Sequence, residues 1–254
     1  MINVLRSEWI KLRTITMNWV LGIIAIVFPL AVTLITAGVN GDQSDFDART
    51  LMELLSGTTF VSALLLGTIA SSSITGEFGF GTIRPTFAAI PRRLQVIIAK
   101  GIVAVGSAMV MQSIVLVIGV LGGKALASGR GATIDLDNEP TFWPMIAGII
   151  VLAGIASLFA YGIGMIIRNT PASIAVFILW PLLAEGLIGG LLFVITRAHS
   201  VPEWMPFRAG FRLAAVSIGT FDAGPTRLVA GLYFGGVSLA LAAFGAWMVN
   251  RRDA

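Results

Sequence analysis

Few residues in this chain are equipped for chemistry. It has one histidine, His199, and no cysteine. That excludes disulfides, thiol catalysis, thiolate metal sites and the paired-histidine metal motif. A phosphate-cradling loop needs G-x-x-x-x-G-K-[ST], whose backbone N–H groups hold phosphate and whose hydroxyl holds magnesium. The nearest approach is Gly123-Lys124-Ala125, where Ile118 replaces the first glycine and Ala125 has no oxygen to offer a metal. No serine sits in a G-x-S-x-G turn and no H-E-x-x-H is present. Two features remain. One is an acid inside an apolar run, Glu185 in Trp180-Pro181-Leu182-Leu183-Ala184-Glu185-Gly186. The other is a long polar stretch from Gly76 to Lys100, GEFGFGTIRPTFAAIPRRLQVIIAK.

An ionisable group at mid-membrane costs about 2.5–3.5 kcal/mol on insertion scales and usually faces a bundle interior or an aqueous cavity. Glu185 therefore has two readings: a residue of a substrate path, or an internally hydrogen-bonded acid that pins helix packing. His199 has no second ligand nearby and reads as a solvated loop residue. The Ser71-Ser72-Ser73 run reads as helix packing and backbone bonding.

The elements that carry these residues follow from composition. Of 254 residues, 56% are hydrophobic and 12% charged, with a mean hydropathy of +0.91. Soluble domains carry about a quarter charged residues. Several uncharged segments reach the roughly 20 residues that cross about 30 Å of hydrocarbon as a helix. They are apolar on every face and do not alternate, which excludes a β-barrel. The fold class is an all-α membrane protein, one transmembrane domain over residues 1–254. Its spans are expected near Trp19–Val39 (with Pro29 inside), Leu51–Thr75, Leu94–Leu121, Phe142–Ile167, Ala172–Ile195 and Arg227–Val249. Residues 1–18 read as an amphipathic helix on the membrane surface, with Met1, Ile2, Leu5, Trp9 and Leu12 on one arc. Glu8 and the long amphipathic lead argue against a signal peptide there.

Six spans put both termini on one side. That side collects ten basic residues and three acids; the other collects seven basic residues and nine acids. The basic excess places the termini and the Gly76–Lys100 stretch in the cytoplasm. In that stretch Phe78, Phe80, Ile83, Phe87 and Ile90 sit among Arg84, Arg92 and Arg93. An apolar-faced basic helix either rests on lipid or fills a groove in a partner; a plain topology anchor is the simpler reading. Gly76, Gly79 and Gly81 are expected to supply the bends into the helix and Pro91 to end it.

The string Glu77-Phe78-x-x-Gly81-Thr82-Ile83-Arg84, then Pro91-Arg92-Arg93 and Lys100, resembles the first cytoplasmic loop of ABC-2 type permeases, the membrane subunits of bacterial ABC exporters. Ser7-Glu8-Trp9-Ile10-Lys11-Leu12-Arg13 resembles that family's N-terminal elbow. Pro85 departs from the pattern and suggests a helix start after Arg84.

The resemblance implies that residues 76–93 form a coupling helix between spans two and three. It would dock into a separate ATPase subunit through Phe87 to Ile90, with the elbow residues Glu8, Trp9 and Lys11 contributing. Glu77 and Gly81 to Arg84 would shape its beginning, and Pro91 to Arg93 its exit. It also implies two copies of the ATPase, which would bind ATP and magnesium, and a second permease chain, identical or different. The first and fifth spans would line the permease interface, with Glu185 on the translocation path and residues 197–226 as an extracellular segment. The complex would export a drug, antibiotic, peptide or lipid across the plasma membrane. Nothing points to nucleic acid, and this chain itself would hold no cofactor and catalyse no reaction. The alternative function is a secondary transporter or channel that works without an ATPase; a non-transporting scaffold is a third reading.

Overall fold

A computed structural model describes residues 1–39, 46–90, 92–216 and 224–251. Its regular elements are all helical: α1 (Ile2–Thr14), α2 (Thr16–Val39), α3 (Ala48–Gly79), α4 (Ile83–Ala89), α5 (Arg93–Ser128), α6 (Phe142–Ile167), α7 (Thr170–Leu179), a π-helical turn (Trp180–Ala184), α8 (Glu185–Thr196), α9 (Ser200–Glu203), α10 (Pro206–Phe211) and α11 (Arg227–Arg251). Six stretches are long and apolar enough to cross a membrane: α2, α3, α5, α6, the broken helix Thr170–Thr196, and α11. The chain is a multi-pass membrane protein with the six spans its hydropathy predicts.

The second and third spans are longer than the sequence reading has them: the second runs from Ala48 past Thr75 to Gly79, and the third from Arg93 past Leu121 to Ser128. With 32 and 36 residues, these helices run about 48 and 54 Å at 1.5 Å per residue, well beyond about 30 Å of hydrocarbon. Gly76 and Gly79 are helical and supply no bend. Only Gly81 does: its φ of +69° is a left-handed conformation that side chains resist. Pro91 lies outside the described residues. α4 starts at Ile83, two residues before Pro85. Pro85 thus falls in the first helical turn, where a missing N–H breaks no helical bond.

α6 is the centre of the bundle. In its most apolar window 72% of residues are buried, against 11% for the broken fifth span, which therefore lies at the rim. α6 and α11 meet backbone to backbone. A Cβ on Gly162 would sit 2.9 Å from the Ala242 nitrogen, and one on Gly245 would sit 3.0 Å from the Gly162 carbonyl. Opposite the elbow end, α10 turns back onto the bundle. Its Phe207 ring centroid lies 4.8 Å from that of Phe234 and 5.2 Å from that of Phe159. Gly119 and Gly123 are filled by Leu55 and Leu51, and Gly231 by Leu213, whereas Gly186 and Gly190 meet nothing within 4 Å among the described residues.

α1 turns into α2 at Ile15, which is extended. The last carbonyls of α1 have no helical partner, and α2 supplies donors. Asn18 Nδ2 donates to Leu12 O at 3.1 Å and Trp19 Nε1 to Arg13 O at 2.6 Å. These two bonds tie the end of α1 to the start of α2.

Candidate functional site

The polar stretch and the elbow meet at one end of the bundle, and the meeting is ionic. Glu8 on α1 is buried. Its Oε1 accepts from Lys11 Nζ at 2.8 Å, and its Oε2 pairs with Lys100 Nζ on α5. Glu77, on the last turns of α3, accepts at Oε1 from Lys11 at 2.8 Å and from Lys100 at 3.0 Å. Two acids and two ammonium groups from three helices thus close a ring. The Glu8 and Lys100 side chains are only 3% and 5% exposed, so neither charge is left to water. Such a pair persists only because each member neutralises the other. Burial pulls the Lys11 ammonium down, but hydrogen bonds and charge from Glu77 and Glu8 outweigh it and hold its pKa above the usual 10.5.

The local sequence explains the aim of these side chains. Val96, Ile97, Lys100 and Ala104 are buried at i, i+1, i+4 and i+8 along α5, so Lys100 lies on the inward stripe. Glu77 follows Ile74 and precedes Phe78 on the bundle side of α3. The hydroxyls beside it stay within the bundle: Ser72 Oγ donates to Ile69 O at 3.0 Å and approaches Asn18 Oδ1 at 3.4 Å, while Ser71 Oγ bonds Ser173 Oγ at 3.0 Å. The serine run is packing and helix bonding, as read from the sequence.

α4 lies over this junction, with its apolar stripe reversed from the expected direction. Ile83 and Phe87 are buried and join Ile74, Val96 and Ile97 in one cluster. The Arg93 guanidinium covers the Phe87 ring at 5.5 Å. Phe87 is therefore an anchor to the chain's own α3 and α5, and Ile90 packs against the same cluster. Within the stretch Phe87 to Ile90, Phe87 is thus buried and Ile90 half-buried, while Ala88 and Ala89 face outward. The outward surface is Phe80, Thr82, Arg84, Pro85, Ala88, Ala89 and Arg92. Phe80, with 87% of its surface open, is the largest apolar group on it. Phe78 points the other way, under the Arg168 guanidinium at 4.9 Å, and Arg168 also donates to Met248 O at 3.1 Å. The C-terminal ends of α3, α6 and α11 are joined there. Trp9 sits on the open side of α1, 43% exposed, in keeping with an interfacial helix.

A cavity of about 300 Å³ opens between α1, α3 and α5, with all four ring members in its lining. Thr14, Asn18, Ser72, Ser73, Thr82 and Thr86 add polar groups, and Leu12, Ile15, Phe80 and Val103 add apolar wall. Among the described residues no cluster of His, Cys, Asp or Glu has the makings of a metal site.

Glu185 is remote from this site and belongs to another arrangement. It is 1% exposed. Its carboxylate accepts from the backbone N–H groups of Phe207 at 2.7 Å and Arg208 at 3.0 Å, and from Trp180 Nε1 at 3.0 Å. These N–H groups open α10, so Glu185 caps that helix from a distant span. Both oxygens of Glu185 are thus engaged within the chain. The π-helical turn aims it: Pro181 has no N–H, and the ladder widens so that Glu185 N bonds Trp180 O. His199 packs against Phe193 with ring centroids 4.7 Å apart and planes tilted by 45°, away from either arrangement.

The ring joins Glu8, Lys11 and Glu77, which the sequence singles out separately, and brings in Lys100 as their common partner. The signal for Lys100 was a lone cation on the buried stripe of an apolar helix. Phe80 carried no such signal, since its exposure depends on Gly81 turning the chain behind it.

Compared with known proteins, residues 4–184 match the model of a family described as ABC-2 family transporter protein. The matched region runs from α1 through the π-helical turn and contains the whole ring. A search of curated proteins finds no match.

Proposed function

The chain belongs to the ABC-2 transporter family, and we propose that it is the membrane subunit of an exporter driven by a separate ATPase. The observation that carries this reading is the mechanical union of elbow, α3, α4 and α5 at one end of the bundle. α4 is clamped to the bundle through Ile83 and Phe87 and leaves Phe80, Arg84 and Pro85 outward. A rigid short helix with an apolar knob and a cation suits a groove in a partner. A push on α4 reaches the spans through the Glu8–Lys11–Glu77–Lys100 ring, since the same ions tie α1 to α3 and α5.

In this reading the ring end and both termini are cytoplasmic, in the plasma membrane, and residues 197–226 lie outside. Two ATPase copies bind ATP and magnesium and close in turn. A second permease chain, a copy or a homologue, pairs along the exposed first and fifth spans. The open Gly186 and Gly190 on α8 support that pairing. The cargo is a drug, antibiotic, peptide or lipid. An ATPase-independent carrier would need unspent charges along a path, and the engagement of Glu185 with α10 removes support for it.

The test is co-purification with the ATPase encoded beside this chain. Phe80→Asp with Arg84→Glu is expected to abolish association and transport-coupled ATP hydrolysis while leaving the permease's thermal midpoint unchanged. An ATPase that never co-purifies, or a double variant that couples normally, would sink the proposal.

A further inference from the structure

The ring leaves specific valences unused at the wall of the cavity. Of its four carboxylate oxygens, three are paired; Glu77 Oε2 is buried and accepts no hydrogen bond from any described residue. Leaving a buried carboxylate oxygen without a donor is costly. Glu77 lines the cavity, so a donor seated there meets Oε2 once the carboxylate turns toward it. On the other side of the balance, Lys11 has three N–H donors and uses two, on Glu8 and Glu77. Its side chain is 38% exposed. The four charges cancel among themselves. An occupant that satisfies both remaining valences brings a donor and an acceptor together, and a matched pair, an N–H-bearing cation on Glu77 and an anion on Lys11, does so with the strongest hydrogen bonds while keeping the site neutral.

The surroundings narrow the occupant further. The cavity, about 300 Å³, lies where the surface helix meets the first span. Leu12 and Asn18 form a wall that it shares with an apolar groove of about 140 Å³ between α1, α2 and α5, lined by Trp9, Trp19, Gly22, Ile23, Ile26 and Met111. Trp19 and Ile23 are open on the outside of the bundle, at the depth where indole rings mark the headgroup zone. A polar recess beside an apolar groove at that depth fits a lipid with a zwitterionic head.

We propose that this cavity holds the headgroup of an aminophospholipid, its primary ammonium on the Glu77 carboxylate and its phosphate on Lys11, with an acyl chain in the groove beyond Leu12 and Asn18. The lipid would be a resident wedge between elbow and bundle. The proposal goes beyond the coupling reading and does not depend on it, since its readouts are binding and stability of this chain alone.

The test uses the full chain, delipidated in detergent, titrated with dioleoylphosphatidylethanolamine, with dioleoylphosphatidylcholine and with soluble phosphoethanolamine. Binding is read by native mass spectrometry and thermal shift. A quaternary ammonium has no N–H to donate. A charge-assisted hydrogen bond contributes about 1.5–3 kcal/mol, so the ethanolamine lipid is expected to bind roughly tenfold or more tightly than the choline lipid. Gly76 lines the cavity and an added Cβ meets nothing within 4 Å. Gly76→Leu is therefore expected to fill the recess and erase the preference without lowering the lipid-free thermal midpoint. Ser73→Leu is a second filling variant, because the Ser73 hydroxyl bonds only Ala70 O of its own helix. Equal binding of the two lipids, or a preference that survives both filled variants, overturns the proposal. Soluble phosphoethanolamine binding as tightly as the lipid overturns the lipid assignment in favour of a free zwitterion.

Discussion

Two regions of the bundle bury acids, and they neutralise them differently. At the elbow end Glu8 and Glu77 face two ammonium groups, and the partners come from three helices far apart in sequence. Midway along the broken fifth span Glu185 faces two backbone N–H groups and an indole. Backbone donors are fixed by the helix they belong to, whereas ammonium groups on four-carbon stems exchange partners as helices shift. One region is a ring of four mobile-stemmed ions; the other is a cap that holds α10 in place. That difference is open to direct attack.

The largest expected effect is at Lys100. Lys100→Met strands the buried Glu8 carboxylate and is expected to cost about 3–5 kcal/mol, read as loss of the folded monodisperse species in detergent. The companion Glu8→Gln with Lys100→Met removes both buried charges and is expected to recover most of that stability while remaining defective in transport. Recovery of transport as well would show that the ring serves folding alone. Next comes Glu185→Ala, which orphans the Phe207 and Arg208 N–H groups. It is expected to cost about 2–3 kcal/mol and to loosen α10, seen as faster hydrogen exchange there, with ATPase association intact. Loss of that association would erase the contrast between the two regions.

The smallest effect is at Asp47, which caps α3 at the far end by accepting from Thr50 N and Oγ1, both at 2.7 Å. Asp47→Ala is expected to cost about 1 kcal/mol. The Thr50 backbone N–H first, then its hydroxyl, hold the Asp47 carboxyl below its ordinary 3.8. Its contribution is therefore present above that value and is lost as pH falls through the depressed one. Thermal melts of wild type and variant should converge in that acid range and stay apart at neutral pH.

Much of this was legible in the sequence, because hydrophobic runs and helical periodicity are local. The six spans, the amphipathic start and the bland character of His199 and the serine run all follow from composition and spacing. What was not legible depended on partners. Glu77 read as loop-like because a charge beside glycines ends an apolar run, yet it is helical, its carboxylate held by Lys11 and Lys100. Phe87 and Ile90 read as an outward docking face because an apolar pair on a short helix shows that one side is covered but not by what. Val96 and Ile97 of the same chain cover it. Glu185 had two open readings because the N–H groups that claim it lie more than twenty residues on, in a helix too short to forecast.

The seam between α6 and α11 bears on the order in which the protein is made. The helix with the least surface left for lipid emerges fourth among the spans, and its Gly162 face is closed by Ala242 and Gly245 of the sixth. During synthesis that glycine face has no partner until the last span arrives. A nascent chain halted before Arg227 presents a bare, close-packing helix surface to the membrane, where any other small-residue helix can occupy it. The closing of this seam therefore waits on the last span to be made.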